Sequence, residues 1–442
     1  MIKYDSYKDS GIEWLGEIPE HWSLKRNKDI SFINAISLDN NTNPLYEFRY
    51  IDISNVNQNG IINEPEQISF IESPSRARRV LKENDVIVST VRTYLRAVAF
   101  INFDPKDYIV STGFAVLSPL KIINPTYLAY YCQSDFFIDL VIKNSKGVSY
   151  PAINATELAC LSNLFPPNQE QSAIAQYLDT KTQAIDKKVN LLEKKIGYFK
   201  ELRKSIINET VTKGLDKSAA LQVNDLGFET PSPWSKKRLK DVGFLYSGLS
   251  GKSGDDFNQD DNPNNKGFIP FTNIANNTYL KKDHLGTVVV FDGEKQNKVK
   301  EGDIFFLMSS EGYEDIGKSA VLAENIDDTY LNSFCKGFRI KQKNCNPYFL
   351  NYLLLSDYYR QILIIEGKGF TRINLKMEKV NDFEVYLPKN ISEQSDIVTY
   401  LDHKTQTIEK IVGNIQNQII TLKELRKTLI NDVVTGKIKV VE

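Results

Sequence analysis

At 442 residues the chain is too long for one ordinary core, and 41% apolar with 25% charged residues are the proportions of a globular protein. A net charge of −1 excludes a globally basic nucleic-acid binder, so any such surface is local or shared with a partner. No apolar run approaches the ~20 residues of a membrane helix, MIKYDSYKDS is no signal peptide, and Cys132, Cys160, Cys335 and Cys345 make no C-x-x-C pair, so reduced thiols and a cytoplasmic setting are expected.

In chain order, EFRYIDISNV (47–56), NDVIVSTV (84–91) and AVAFINF (97–103) predict strands. NPTYLAYYCQSDFFIDLVI (124–142) predicts a helix, followed by a loop with Gly147 and the pair Ile153-Asn154. Pro166-Pro167 blocks helix, and Asn168 with Gln171 predicts an N-terminal cap with its reciprocal partner. Leu178, Ile185, Leu192, Phe199 and Ile206 then recur every seven residues, with Val189 and Ile196 between them, which is the seam of a coiled coil ending at Gly214.

The second half opens with SGLSGKSG (247–254). Its Gly-Lys-Ser imitates a phosphate loop, but Tyr246 occupies the place of the required first glycine, and the polar run GDDFNQDDNPNNKG replaces the required helix. It reads as a surface loop. KGFIPFTNI (266–274), VKEGDIFFLMSS (299–310) and KSAVLAE (318–324) predict strands, and NPYFLNYLLLSDYYRQILII (346–365) a helix before a loop with Gly369 and Ile373-Asn374. A second seam follows at Leu401, Ile408, Ile415, Leu422 and Leu429, with Val412 and Ile419 between, up to Gly436.

The two halves are copies. YLDTKTQAIDKKV at Tyr177 returns as YLDHKTQTIEKIV at Tyr400, and KELRKSIINETVT as KELRKTLINDVVT, each 223 positions on (Tyr177 to Tyr400, Glu201 to Glu424). Upstream, PEHWSLKRNKDI from Pro19 is echoed by PSPWSKKRLKDV from Pro231. The expected architecture is α+β: two strand-rich modules alternating with two long helices that pair as an antiparallel coiled coil, with pseudo-twofold symmetry. Packing of each helix into a bundle is the alternative. Boundaries are expected at 1–165, 166–214, 215–388 and 389–442.

LFPPNQEQSAIAQYLD (164–179) and YLPKNISEQSDIVTYLD (386–402), with KDSGIEWLGEIPEHW (8–22) and VKEGDIFF (299–306), resemble the specificity (S) subunit of type I restriction–modification systems over nearly the whole chain. The second signature departs by keeping only Pro388 of the proline pair and inserting a residue before its Glu-Gln. The resemblance implies a non-catalytic DNA-reading subunit. Each module is a target recognition domain for one half of a bipartite duplex sequence. The helices dock two methyltransferase (M) subunits, which carry S-adenosylmethionine and methylate adenine. Restriction (R) subunits are further partners. No cofactor is expected on this chain, and no membrane.

DNA contacts are expected from the variable modules. SPSRARRVLKEN offers Arg76, Arg78 and Arg79, and STVRTYLRA offers Arg92, Tyr94 and Arg96. SKGVSYPAIN (145–154) offers Lys146 and Tyr150; SSEGYED (309–315) offers Ser309, Ser310 and Tyr313; GKGFTRIN (367–374) offers Lys368, Thr371 and Arg372. Arginine reaches phosphates or guanine edges, and tyrosine packs on sugars or bases. Lys252, beside several aspartates, is a poor candidate. Asp357, Glu366 and Lys368 imitate a metal-dependent nuclease core, but Asn144 stands opposite Glu366 in the first copy while Lys146 matches Lys368. His21, His284 and His403 have no nucleophile or second ligand nearby in sequence. A stand-alone nuclease and a coiled-coil scaffold without DNA are the rival readings.

Overall fold

The computed structural model describes residues 2–259 and 261–440; the side chain of His284 lies outside the described residues. The chain forms two compact units, residues 1–193 with 416–442, and residues 194–415. Each unit therefore holds one variable module, the first part of the long helix that follows it, and the last part of the other long helix.

In the first unit one sheet has the strand order Glu66–Ser69, Glu47–Ile51, Tyr108–Ser111, Ala77–Val80, and a second the order Ser31–Ile33, Phe114–Pro119, Val86–Ser89, Val98–Phe100. In the second unit a five-stranded sheet runs Gly243–Ser247, Cys335–Ile340, Ile304–Leu307, Ser319–Leu322, Tyr279–Leu280, beside a three-stranded sheet of Gly286–Val289, Asn265–Ile269 and Thr329–Leu331. Val86–Ser89 and Ile304–Leu307 are interior strands buried at every position, which is why neither shows polar alternation.

The observed elements correct several sequence expectations. EFRYIDISNV stops being strand at Ile51, because the Asp52 carboxylate accepts the Ile53 N–H (2.8 Å) and opens a 3-10 turn. FTNI of KGFIPFTNI is helical, in the segment Phe271–Asn276 begun by extended Pro270. The single helix expected over 124–142 is two, Pro125–Gln133 and Asp135–Lys143, broken at Ser134, whose hydroxyl accepts the Phe137 N–H (3.2 Å) and caps the second helix. Ser356, with the same extended backbone but no capping bond to its hydroxyl, breaks Pro347–Leu355 from Asp357–Glu366.

The long helices are Asn168–Lys213 and Ile391–Val434. Their starts are also 223 positions apart, so the altered second signature leaves the start in place. The expected Asn168–Gln171 cap does not form. Gln171 is fully buried; its Oε1 accepts the Asn124 N–H (2.7 Å) and its Nε2 donates to the Pro166 carbonyl (2.8 Å). Gln394 does the same with the Asn346 N–H (2.7 Å) and the Pro388 carbonyl (2.9 Å). The preceding glutamates accept indole N–H groups, Glu170 from Trp22 (3.0 Å) and Glu393 from Trp234 (2.9 Å). About two turns further, the Tyr130 hydroxyl donates to Asp179 (2.8 Å) and the Tyr352 hydroxyl to Asp402 (2.7 Å). The repeated Glu-Gln and Tyr-Leu-Asp motifs are thus the bolts between each module and its helix.

The far end of the other helix closes each unit. Asn431 Oδ1 accepts the Phe136 N–H (3.1 Å) and Asn208 Oδ1 accepts the Asp357 N–H (2.7 Å). Within the first unit, Arg426 pairs with Asp186 (3.1 Å) and Lys423 with Glu193 (3.6 Å), so the helix segments run antiparallel. Within the second unit Arg203 pairs with Glu409 (3.7 Å). Of the seam residues, Leu178, Leu401, Ile408 and Ile415 are buried, and Ile185, Leu192, Phe199, Ile206, Leu422 and Leu429 are half-buried. The helix ends also enter the module cores, through Ile430, Val433 and Val434 in one unit and Ile207 and Val211 in the other. Coiled-coil pairing and bundle-like packing therefore coexist along one helix.

Gln394→Ala strips partners from the Asn346 N–H and the buried Pro388 carbonyl. A loss of about 1–3 kcal/mol is expected, read as a lower urea midpoint at unchanged m. A midpoint equal to the parent's would mean that apolar packing alone holds this joint.

Candidate nucleic-acid interface

Two loops meet in each module. In the first, the chain leaves Val86–Ser89 through a 3-10 turn at Thr93–Leu95, flanked by Arg92 (φ 50°) and Arg96 (φ 57°), both left-handed. Side chains with a Cβ rarely adopt that conformation, so it must be held by its surroundings. The Arg92 N–H donates to the Pro151 carbonyl (2.8 Å), and the Arg96 guanidinium pairs with Asp135 at the start of the Asp135–Lys143 helix. The partner loop is a finger closed by two backbone bonds between Lys146 and Ala152 (2.8 and 2.9 Å). The Arg92 guanidinium lies 5.0 Å from the centre of the exposed Tyr150 ring on this finger.

The second module repeats the device. Ser309–Ser310 pairs antiparallel with Ile373–Asn374, and a finger is closed by two backbone bonds between Lys368 and Asn374 (3.0 and 2.9 Å). Gly369 has φ 149°, and a Cβ there would lie 1.8 Å from the Arg372 carbonyl, so only glycine fits. This register places Ile373-Asn374 opposite Pro151-Ala152. The match of Ile373-Asn374 to Ile153-Asn154 expected from sequence is therefore displaced by two residues.

The loops are pinned by different chemistry. In the first module the loop supplies the cation, Arg96, and the helix the anion, Asp135. In the second, Arg360 on the helix donates to the loop carbonyls of Ile316 (2.5 Å) and Glu314 (2.9 Å), and burial lowers its guanidinium pKa to about 10.

The sequence candidates divide by whether they already have a partner. Arg76 pairs with Asp52 (2.7 Å) and Lys146 with Glu157 (2.8 Å), as Arg96 does with Asp135. Arg78 and Arg79 lie on Ala77–Val80, in the other sheet from the loop-bearing strand. Arg78 packs on Phe70 (4.7 Å); Arg79 donates to Ser37 (2.9 Å), and burial leaves its Nε without a hydrogen-bond partner and lowers its pKa. Ser309 is half-buried, and buried Ser310 accepts the Gly312 N–H (3.2 Å), which makes it a turn former. Tyr94, Tyr313 and Thr371 are exposed. Among the described residues, Arg92, Lys368 and Arg372 meet no carboxylate; Arg372 lies 5.1 Å from the Phe334 ring centre. Arg78 and Arg79 also lack a carboxylate there but lie on the other sheet, so among the candidates on the paired loops these three have charge to spare.

Lys252 is 7% exposed and bonded to Glu294 (2.8 Å), so the Gly-Lys-Ser loop offers no cation to a ligand. Glu366 is held by Lys379 (2.9 Å), and Asp357 accepts from the Asn208 amide (2.8 Å). The described residues hold no cluster that could bind a metal ion. Sequence reading missed Arg360, Phe334 and the finger tips Val148 and Phe370. The shared triplet Lys-Gly-apolar at 146–148 and 368–370 is the signal that could have found the tips.

Residues 19–194 and 231–420 match the family model of the type I restriction modification DNA specificity domain. The MjaVIII specificity subunit of Methanocaldococcus jannaschii is 21% identical, over 100% of this chain and 99% of its own. The MjaIX specificity subunit of the same organism is 23% identical over the same shares. A chain solved in work on the assembly and conformational transition of a type I restriction–modification system superposes with a TM-score of 0.74 at 21% identity, covering 95% of this chain and 99% of its own. The HsdS subunit from Thermoanaerobacter tengcongensis does so with 0.54 at 22%, over 95% and 98%. These structures share the fold. The two matched segments begin at the echoed motifs, Pro19 and Pro231, and run into the two long helices, so they coincide with the internal repeat. On these grounds the chain belongs to the type I restriction modification DNA specificity family.

Proposed function

We propose that this chain reads a bipartite duplex target, one half with each module, and carries two methyltransferase subunits on its helices. Residues 1–165 and 215–388 serve as the recognition domains, and 166–214 and 389–442 as the helical frame. The observation that carries the reading is the repeated pair of cross-bonded loops, each with an unpaired cation on its rim: Arg92 in the first module, Lys368 and Arg372 in the second. A cation without a carboxylate is available to phosphate or to a guanine edge. Exposed Tyr94, Tyr150, Tyr313 and Thr371, of which Tyr150 lies under Arg92, serve in this reading as packing and hydrogen-bonding groups. Arg76, Arg96 and Lys146 would have to exchange an internal partner first, and Arg78, Arg79, Ser309 and Ser310 act as supports. The chain binds no cofactor of its own in this reading. The methyltransferase subunits bring S-adenosylmethionine, and restriction subunits join the assembly as further partners. Leu202 and Leu425, exposed at repeat-equivalent places on the two helices, support two equivalent docking points. Nuclease activity finds no support, since both carboxylates of the imitation site are engaged.

Methylome sequencing of cells carrying this chain with its methyltransferase tests the reading, and a two-part motif is expected. Arg92→Ala and Arg372→Ala should each relax one half of that motif and weaken the complex by about 1–3 kcal/mol if the contact is bidentate to a base. Uniform weakening with a shallower salt slope would assign a phosphate contact. Unchanged binding in both variants would remove these loops from the DNA surface.

Light scattering of the purified complex should give two methyltransferase subunits per chain. Leu202→Asp and Leu425→Asp should each reduce that number to one. Saturation at one subunit in the parent contradicts the duplicated frame.

The helices are also proposed to set the separation of the half-sites. One heptad inserted into each helix, after Leu192 and at the level of the Lys423–Glu193 pair, preserves the seam. It lengthens the frame by about 10 Å at ~1.5 Å per residue, or about three base pairs at ~3.4 Å each. Those pairs also turn the second half-site by roughly 100° at 10–10.5 pairs per turn, so activity should fall and move to longer spacers. Methylation of a duplex library with varied spacers reads this out; an active variant that keeps the parental spacer refutes the ruler.

A further inference from the structure

The two fingers differ at one place that their shared backbone makes comparable. Each begins Lys-Gly, is closed by the same pair of backbone bonds, and carries its third residue at the tip, Val148 in the first and Phe370 in the second. Both tips are fully exposed, the most exposed large apolar side chains among the described residues. A phenylalanine in that position is costly in water and needs a reason. Here the tip is mounted on a support that resists bending. Gly369 cannot be replaced, Ile373 at the base of the finger is buried, and Ser309–Ser310 pairs with the returning strand. Lys368 and Arg372 flank the tip without carboxylate partners among the described residues, and Thr371 lies between them, exposed. An exposed ring flanked by unpaired cations complements stacked bases between phosphates. A protein-binding core would be depleted of such charge.

We propose that the second finger uses Phe370 as a wedge that enters between adjacent base pairs of its half-site, with Lys368 and Arg372 on the flanking phosphates. The first finger, tipped by Val148, makes an edge contact without unstacking. Apolar wedges inserted at a base step unstack and kink a duplex, and flexible pyrimidine–purine steps accept them most easily. The second half-site therefore contains such a step under the finger, and the protein selects it by deformability as well as by hydrogen bonds. This inference rests on the reading of the fingers as DNA contacts.

The test uses the chain complexed with its methyltransferase subunits and a duplex of its methylated target. 2-Aminopurine is placed at one position at a time, with donor and acceptor dyes at the ends to report bending. The parent should brighten 2-aminopurine at one step of the second half-site, apart from any signal at the methylated adenine, and should bend the duplex. Phe370→Ala should lose both signals and bind roughly 5- to 100-fold more weakly. Phe370→Trp should retain them, and Val148→Ala should change neither. Parental fluorescence, bending and affinity in Phe370→Ala, with Lys368→Ala and Arg372→Ala still weakened, would overturn the wedge and leave the finger as a DNA contact. Parental binding in all three variants would overturn both. Failure of Phe370→Ala to assemble with the methyltransferase would make the tip a protein contact and also overturn the wedge.

Discussion

Gln171 and Gln394 are fully buried amides, each binding backbone groups from two separate segments of its module. A primary amide buried in this way must satisfy both ends, because an orphaned donor or acceptor away from water costs roughly 1–3 kcal/mol. Its bonds fix the direction in which the long helix leaves the module. The neighbouring glutamate, accepting an indole N–H, fixes the rotation of the same turn. Everything in each unit is oriented from this joint. The Tyr–Asp bond lies about two turns above it, and the asparagine of the opposite helix caps the module's second helix. A reading surface carried on such a joint cannot drift against its frame without breaking buried hydrogen bonds.

A net charge of −1 looks incompatible with a DNA reader until the cations are sorted by partner. Many basic side chains are committed internally, as with Arg76, Arg96, Lys146, Lys252 and Arg339. These pairs shape loops and sheets. Surface ion pairs contribute little to stability, but a committed cation is also withheld from nonspecific phosphate contact. Arg92, Lys368 and Arg372, which meet no carboxylate among the described residues, stand on the paired loops, where direction matters more than total charge. Such placement favours discrimination over long-range attraction.

The frame was legible in the sequence because its signals are local and repeated. A seven-residue seam and an exact spacing of 223 positions survive without tertiary information. The breaks at Ser134 and Ser356 were not legible, since apolar residues continue on both sides and only an extended serine, its hydroxyl donating to the carbonyl three residues back, ends the first helix. Phe114–Pro119 and Cys335–Ile340, interior in their sheets, were missed because the first is a short buried run without alternation and the second, CKGFRI, has Lys336, Gly337 and Arg339 among its apolar residues. At the site, residue type correctly drew attention to Arg92, Lys368 and Arg372. It could not separate them from Arg76 or Arg96, because the deciding carboxylates, Asp52 and Asp135, stand 24 and 39 positions away.

The two modules show how a reader can diverge without losing its shape. Both position the same loop against the same helix, yet one uses a loop arginine on a helix carboxylate and the other a helix arginine on loop carbonyls. The geometry requires only that the loop be tied at that point; it does not fix which side supplies the charge. The finger obeys the same logic. Its closure is made by backbone atoms and a glycine, so its outward side chains are free of structural duty. Val148, Tyr150, Phe370 and Arg372 can therefore be exchanged without disturbing the support beneath them. Glu170, Gln171, Glu393 and Gln394 cannot, because each bonds groups in the joint that the whole unit depends on. Separating a side-chain-built joint from a backbone-built finger lets specificity change at the tip while the frame keeps one shape.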